Sequence, residues 1–361
     1  MASQAGSRIP VQRSTSLKPK VPEAELGFGR HFTDHMLLVD YTVQAGWHAP
    51  RVVPYGPLSL DPAAAVFHYA QAAFEGLKVY RSQDGRLRAF RLPTHCQRMA
   101  RSAQRLCIPP LPPELMAEGI QALVRTDADW VPAGPGTALY VRPTLVATEP
   151  FLGVRPAEQY LFFVILSPVG SYYAEGQEPV RIWVEEQYVR AAPGGLGAIK
   201  AGANYAASLM AGVEAKKRGY AQVLWLDARE RRYIEEVGTM NLFVRIGDEV
   251  VTPPLEDGTL LAGITRDSIL TLLREWGVRV SERRISVGEL REAHARGTLR
   301  EVFGTGTAAV ISPVGELGLR EGNLKIADGR VGELSRRLYD TITAIQRGAA
   351  PDPHGWMTVI V

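Results

Sequence analysis

The chain has 361 residues, 46% hydrophobic and 22% charged, with a net charge of +3. That length can fill two cores, and so small a charge excludes the basic footprint of a nucleic-acid binder. No apolar run reaches the ~20 residues that cross a bilayer, so neither nucleic acid nor membrane is expected as a partner.

Residues 1–20 mix Ser, Gln, Pro, Arg and Lys without the apolar core of a secretory signal, and read as a flexible N-terminal arm. A smaller N-terminal α/β domain is expected over 21–170. Its strands fall at 36–43, 77–81, 87–91, 137–147 and 160–167, and its helices at 61–72, 93–106 and 113–125. The two cysteines, Cys96 and Cys107, fall in a segment, 94–107, that reads as a helix, roughly 16 Å apart at ~1.5 Å per residue. That is too far for a disulfide, and reduced thiols point to the cytoplasm. His31 and His35 have a metal-like spacing, but a strand follows at once and no third ligand joins them, so no metal is expected.

A polar, glycine-containing stretch at 171–179 reads as an interdomain linker. The larger C-terminal domain, 180–361, should hold strands at 180–185, 222–227, 232–237 and 240–246. Its helices should fall at 204–218, 266–276, 287–295 and 332–347. Many short strands in irregular alternation with helices suggest an α+β fold with barrel-like mixed sheets.

Five segments carry candidate chemistry. Lys200 stands alone in the apolar, glycine-rich run from Ala191 to Tyr205, in a chain with 34 arginines and seven lysines. An amine can shed its proton on burial and attack a carbonyl, which a guanidinium cannot do; Lys200 is therefore a candidate Schiff-base nucleophile. Glu235 and Glu236 should face opposite sides of one strand, where one can be solvated and the other buried against a cation; a surface strand with both glutamates solvated is the other reading. The small residues and hydroxyls of Phe303–Ala309 suit an anion nest. Gly263-Ile264-Thr265-Arg266 begins a helix, with Thr265 as its expected cap. Tyr140 and Arg142 share a strand face, and so apolar a strand demands an anion for its arginine, either a structural or a substrate carboxylate.

Together these segments resemble the branched-chain amino-acid aminotransferases, fold-type IV enzymes that use pyridoxal 5′-phosphate. The most specific blocks are Phe74-Glu75-Gly76-Leu77-Lys78, Tyr140-Val141-Arg142-Pro143, Glu236-Val237-Gly238-Thr239-Met240-Asn241 and Gly304-Thr305-Gly306-Thr307-Ala308. Lys200 with Asn204 and Tyr205 matches the family's lysine segment. The resemblance implies that Lys200 carries the cofactor and shuttles the proton, that Glu236 pairs with the pyridine nitrogen, and that Tyr205 donates to O3′. It places the phosphate among Arg98, Ile264, Thr265 and Thr307.

For substrates, it assigns the α-carboxylate to Tyr140 and the backbone N–H groups of Thr307 and Ala308. Arg142 would take the second carboxylate of glutamate or 2-oxoglutarate. Phe28, Tyr69, Tyr172 and Thr239 would line the side-chain pocket for leucine, isoleucine or valine. Tyr69 and the loop Leu152-Gly153-Val154 would come from the neighbouring subunit of a homodimer. Ala309 and Ser312 stand where mammalian members carry a redox-sensing cysteine pair, so that switch should be absent. Other fold-type IV enzymes, a D-amino-acid aminotransferase or an aminodeoxychorismate lyase, remain open, as does a non-catalytic phosphate-ligand binder in which Lys200 is only a cation.

Overall fold

The computed structural model describes residues 9–170 and 178–361. The chain forms two compact units, Met1–Tyr172 with Ala344–Val361, and Tyr173–Thr343. In chain order the first contains β1 (His35–Thr42), β2 (Gly46–Pro54), α1 (Ala65–Tyr69), β3 (Ala72–Phe74), β4 (Leu77–Arg81) and β5 (Leu87–Phe90). It continues with α2 (Leu92–Arg105), α3 (Pro113–Thr126), β6 (Ala138–Ala147) and β7 (Gln159–Val169). These strands form an antiparallel sheet in the order β5-β4-β6-β7-β1-β2, with β3 also pairing β6.

Helix α2 sets Leu92, Cys96, Met99 and Ala103 at spacings of four, three and four, a single apolar stripe, and all four are buried. Helix α3 lies so close to the sheet that a Cβ on Gly119 would meet Leu37 Cδ2 at 2.6 Å. The helix expected over 61–72 shrinks to α1. Ala70 turns left-handed at φ 50°, and the chain then extends so that Ala72–Phe74 can pair with β6.

Residues 9–20 are not the loose arm that their composition suggests. Ile9 is buried in the core, and Val52 donates to Pro10 O while Gln12 donates to Val52 O, both at 2.9 Å. The amides of Ser14 and Lys18 donate to His35 Nε2 and Asp34 Oδ1, each at 2.8 Å. Enough backbone and apolar partners are present to offset the entropy of ordering this segment.

The second unit contains β8 (Val180–Glu185), α4 (Gly202–Ala207), α5 (Leu209–Lys217), β9 (Gln222–Leu226), β10 (Ile234–Val237), β11 (Met240–Ile246) and β12 (Glu249–Thr252). Then come α6 (Ile264–Glu275), β13 (Arg279–Glu282), α7 (Val287–Ala295), β14 (Leu299–Gly306), β15 (Val310–Gly318), β16 (Leu324–Lys325) and α8 (Glu333–Gln346). Strands β10-β9-β8-β15-β14-β11 run in order, and β11 pairs back to β10, closing a six-stranded barrel. The β8–β9 and β8–β15 pairs are parallel and the other barrel pairs antiparallel, so the expected mixed barrel is realised in this unit. Its core is aliphatic, drawn from inward residues such as Ile182, Leu224, Leu242, Val302 and Val314.

One helix expected over 204–218 is instead two. Ser208 Oγ donates to Tyr205 O at 2.7 Å, a local bond that competes with helix continuation and separates α4 from α5. After α8 the chain returns to the first unit, where β17 (Met357–Val359) pairs antiparallel with β5. The C-terminal residues therefore do not all belong with the expected second domain; Ile360 is buried in the first unit's core.

Candidate active site

In the second unit the lysine loop is held from three sides. Asn204 Nδ2 donates to Leu196 O at 2.8 Å and to Ile199 O at 3.0 Å, fixing the turn that presents Lys200. Arg190 Nη2 donates to Gly197 O at 3.1 Å and to Thr259 O. A side chain on Gly197 would overlap Thr259 O and Ala191 Cβ, so glycine is required where these two segments cross. Lys200, half-buried, donates from Nζ to Tyr205 Oη at 2.7 Å. Tyr205 reaches it from the first helical turn that follows.

Glu236 is the anchor of the same cluster. Its Oε1 accepts from Leu261 N at 2.9 Å and Asn241 Nδ2 at 3.3 Å, and its Oε2 lies 3.2 Å from Arg190 Nε. A carboxylate offers about four lone-pair sites, so these three partners leave room for one more donor. The expectation that one of the two glutamates would be solvated is corrected: Glu235 is 5% exposed and Glu236 2%. All four residues of β10 are buried, so neither of its faces meets water. Burial pushes the Glu235 carboxyl above its usual range.

Helix α6 begins three residues after Leu261. Its N-cap is Gly263, extended at φ −70° and ψ 129°, with no side-chain cap. Thr265, expected as the cap, is a buried residue inside the first turn. A Cβ at 263 would overlap Asn241 Oδ1, the side chain that also serves Glu236, and this excludes a Ser or Thr cap. The helix therefore offers an amino end without a capping side chain, with the dipole that attracts anions. Thr307 and Ala308 lie in the tight turn between β14 and β15, after the pairing of Gly306 with Val310. The nest expected over Phe303–Ala309 is thus mostly strand, and only its last three residues form the turn.

The first unit carries the other cluster. Tyr140 is buried on β6, edge-on to Phe28 with ring centroids 5.0 Å apart. Arg142 Nη2 donates to Tyr140 Oη at 3.3 Å, and its guanidinium lies 4.9 Å from the Phe74 ring and 5.2 Å from the Tyr140 ring. Its Nε is buried without a hydrogen-bond partner. Among the described residues no carboxylate reaches Arg142 within ion-pair distance, so none of them is the structural carboxylate left open by the sequence. Arg98, on α2, gives Nε and Nη2 to Glu75 at 2.7 and 2.9 Å. Gly76 next door has no Cβ because one would overlap Tyr140 Oη.

Tyr69 is exposed on α1, and its hydroxyl donates to Leu152 O. Thr239 is exposed in the turn between β10 and β11, and Ile264 is buried at the start of α6. Tyr172 lies outside the described residues. Sequence reasoning missed Arg190, Asn241 as a partner of Glu236, and the role of Glu75. The signal for Glu75 was present: His95 and Arg98 fall beside the apolar stripe of α2, and two buried bases need an acid. Cys96 is buried, and its surroundings push its thiol up to about 12, chiefly through burial; Cys107 is exposed.

A pyridoxal phosphate cofactor fits the second unit's residues: an amine beside a phenol, a buried carboxylate with room for one more donor, and an uncapped helix start for a phosphate. The model of the family described as amino-transferase class IV matches residues 72–317. The chain is 52% identical over 352 residues to the branched-chain-amino-acid aminotransferase 2 of Bacillus subtilis, covering 98% of this chain and 97% of that one. The solved branched-chain amino acid aminotransferase of Escherichia coli is similar with a TM-score of 0.75 and 28% identity, covering 91% of this chain and 99% of that chain. The solved branched-chain amino acid aminotransferase of T.th., complexed with N-(5′-phosphopyridoxyl)-L-glutamate, is similar with a TM-score of 0.74 and 27% identity, covering 90% of this chain and 98% of that chain.

Proposed function

The chain belongs to the class IV amino-transferases, and on that premise we propose that it is a branched-chain amino-acid aminotransferase. It moves the amino group of L-leucine, L-isoleucine or L-valine to 2-oxoglutarate, with pyridoxal 5′-phosphate as cofactor. When bound, that group supplies an aldehyde carbon that takes up the amino group and a ring that accepts electron density.

Lys200 would hold the cofactor, and its amine would take up and return the proton of the substrate α-carbon. Tyr205 Oη, the present partner of Lys200 Nζ, donates to O3′. Glu236 is the acid partner that keeps a proton at the ring nitrogen, and Arg190 and Asn241 hold its carboxylate in place. Thr265 and Thr307 hydroxyls, the amides at Ile264 and Thr265, and the Arg98 guanidinium bind the phosphate.

Tyr140 and the amides of Thr307 and Ala308 bind the α-carboxylate, while Phe28, Tyr69, Tyr172 and Thr239 bound the side chain and exclude water. The observation that carries the substrate reading is Arg142, packed against aromatic rings with no carboxylate within ion-pair distance among the described residues. Rings suit a branched aliphatic side chain, and an unmatched guanidinium suits the second carboxylate of glutamate. The active form is a homodimer in which Tyr69 and Leu152–Val154 reach the neighbouring subunit's site. Supporting this, Phe67, Tyr69, Phe151, Leu152 and Val154 are all exposed on one unit, more apolar surface than scattered single residues would give. Unpaired thiols support a cytoplasmic setting, and among the described residues no helix is long and apolar enough to cross a membrane.

The test is amino transfer itself. Purified protein given L-leucine and 2-oxoglutarate should form L-glutamate, and D-alanine should not replace L-leucine. Turnover of D-alanine without turnover of L-leucine would contradict the assignment.

A further inference from the structure

Glu75 is fully buried at the start of the turn joining β3 to β4, and it has no contact with water. Its two oxygens are taken by three side-chain bonds. Arg98 Nε meets Oε1 at 2.7 Å, Arg98 Nη2 meets Oε2 at 2.9 Å, and the His95 Nδ1–H donates to Oε2 at 2.8 Å. Burial alone would raise this carboxyl; Arg98 and the His95 hydrogen bond outweigh it and hold the group well below the usual carboxylate range. Helix α2 alone does not fix the guanidinium, since an arginine side chain has four rotatable bonds. The parallel fork on a rigid carboxylate does fix it.

We propose that Glu75 is a positioning residue for cofactor binding: it grips one edge of the Arg98 guanidinium so that the opposite edge is presented, already oriented, to the cofactor phosphate. The inference rests on the reading that Arg98 binds that phosphate. It is not the expectation from charge alone. A carboxylate one guanidinium away from an anion site repels the anion, so removing its charge should strengthen phosphate binding. Preorganisation predicts the reverse, because a released guanidinium must be ordered again at each binding event. His95 adds a second clamp on the same carboxylate and restrains its rotation.

The test titrates apoenzyme with pyridoxal 5′-phosphate and, separately, with pyridoxal, which has no phosphate. Glu75→Gln should weaken pyridoxal 5′-phosphate by about tenfold or more, the scale of one charge-assisted hydrogen bond, and leave pyridoxal binding unchanged. Glu75→Asp, which keeps the charge one methylene back, should fall between Glu75→Gln and the wild type, and it serves if the glutamine variant does not fold. Arg98→Met should lose the same preference for the phosphorylated form, and Glu75→Gln added to it should cost nothing more. An equal loss for both ligands, or tighter pyridoxal 5′-phosphate binding in Glu75→Gln and Glu75→Asp, overturns the proposal while a sensitive Arg98→Met leaves the Arg98 reading standing. An Arg98→Met enzyme with wild-type preference overturns both.

Discussion

Phe74, Glu75 and Gly76 follow one another in the chain, yet each acts on a different residue. The Phe74 ring covers the Arg142 guanidinium, the Glu75 carboxylate grips Arg98, and the bare Cα of Gly76 makes room for Tyr140 Oη. The sequence marks the block as distinctive but not why, because all three partners are distant in the chain: Arg142 and Tyr140 meet it through the pairing of β3 and β4 with β6, and Arg98 reaches it from α2. Arg142 and Lys200 are legible because an isolated base in an apolar run has few bland explanations. Arg190 is not, since one arginine among 34 carries no such signal. In the proposed reaction Arg142 would keep its aromatic neighbours with leucine bound, and with glutamate bound it would gain a charge-assisted bond worth about 1.5–3 kcal/mol. Arg142→Met should therefore lower kcat/KM for the glutamate half-reaction roughly ten- to a hundredfold and affect leucine much less, as single turnovers would show. An equal loss for both would make Arg142 structural. The neighbouring acids should also separate. Glu236→Gln removes the charge that faces Arg190 and should slow both half-reactions. Glu235→Gln replaces a carboxyl that burial already pushes toward its neutral form and should change little. Rate measurements in which these two variants exchanged their effects would show that the wrong face of β10 had been chosen.

The start of α6 shows what an element contributes beyond its own residues. Leu261 N on Glu236, Asn241 Nδ2 on Leu261 O and on Glu236, and Asn241 Oδ1 against Gly263 tie the barrel acid to the helix's amino end. A methyl at 263 would have to displace Asn241, an overpacking that costs about 1–3 kcal/mol. Gly263→Ala should lower the melting temperature and weaken pyridoxal 5′-phosphate binding together, in a thermal melt and a cofactor titration of the same preparation. Unchanged cofactor affinity would uncouple the helix start from Glu236. Long periodic elements such as α2, α3 and β6 are legible from pattern. Strand β2 is hidden by Pro50 and Pro54, tolerated because it is an edge strand. Strand β15 is hidden by Pro313, Gly315 and Gly318. Its glycines are there for packing: a Cβ on Gly318 would overlap the Tyr220 ring.

At the scale of the molecule, the α+β class and the barrel follow from many short strands, but the return of the C-terminus to the first unit does not. Strand β17 is three residues long, and its partner β5 lies far back in the chain, beyond the reach of any local pattern. The proposed amino transfer from leucine runs through Lys200, held by a loop that Asn204 and Arg190 organise. The direct measurement is the absorbance of holoenzyme before and after L-leucine, for the wild type and for Lys200→Ala reconstituted with pyridoxal 5′-phosphate. The wild-type visible band should be replaced by that of the aminated cofactor within a single turnover. Lys200→Ala should still bind the cofactor through its phosphate but fail to convert it at a comparable rate. Conversion of the Lys200→Ala enzyme by L-leucine at the wild-type rate would contradict the claim.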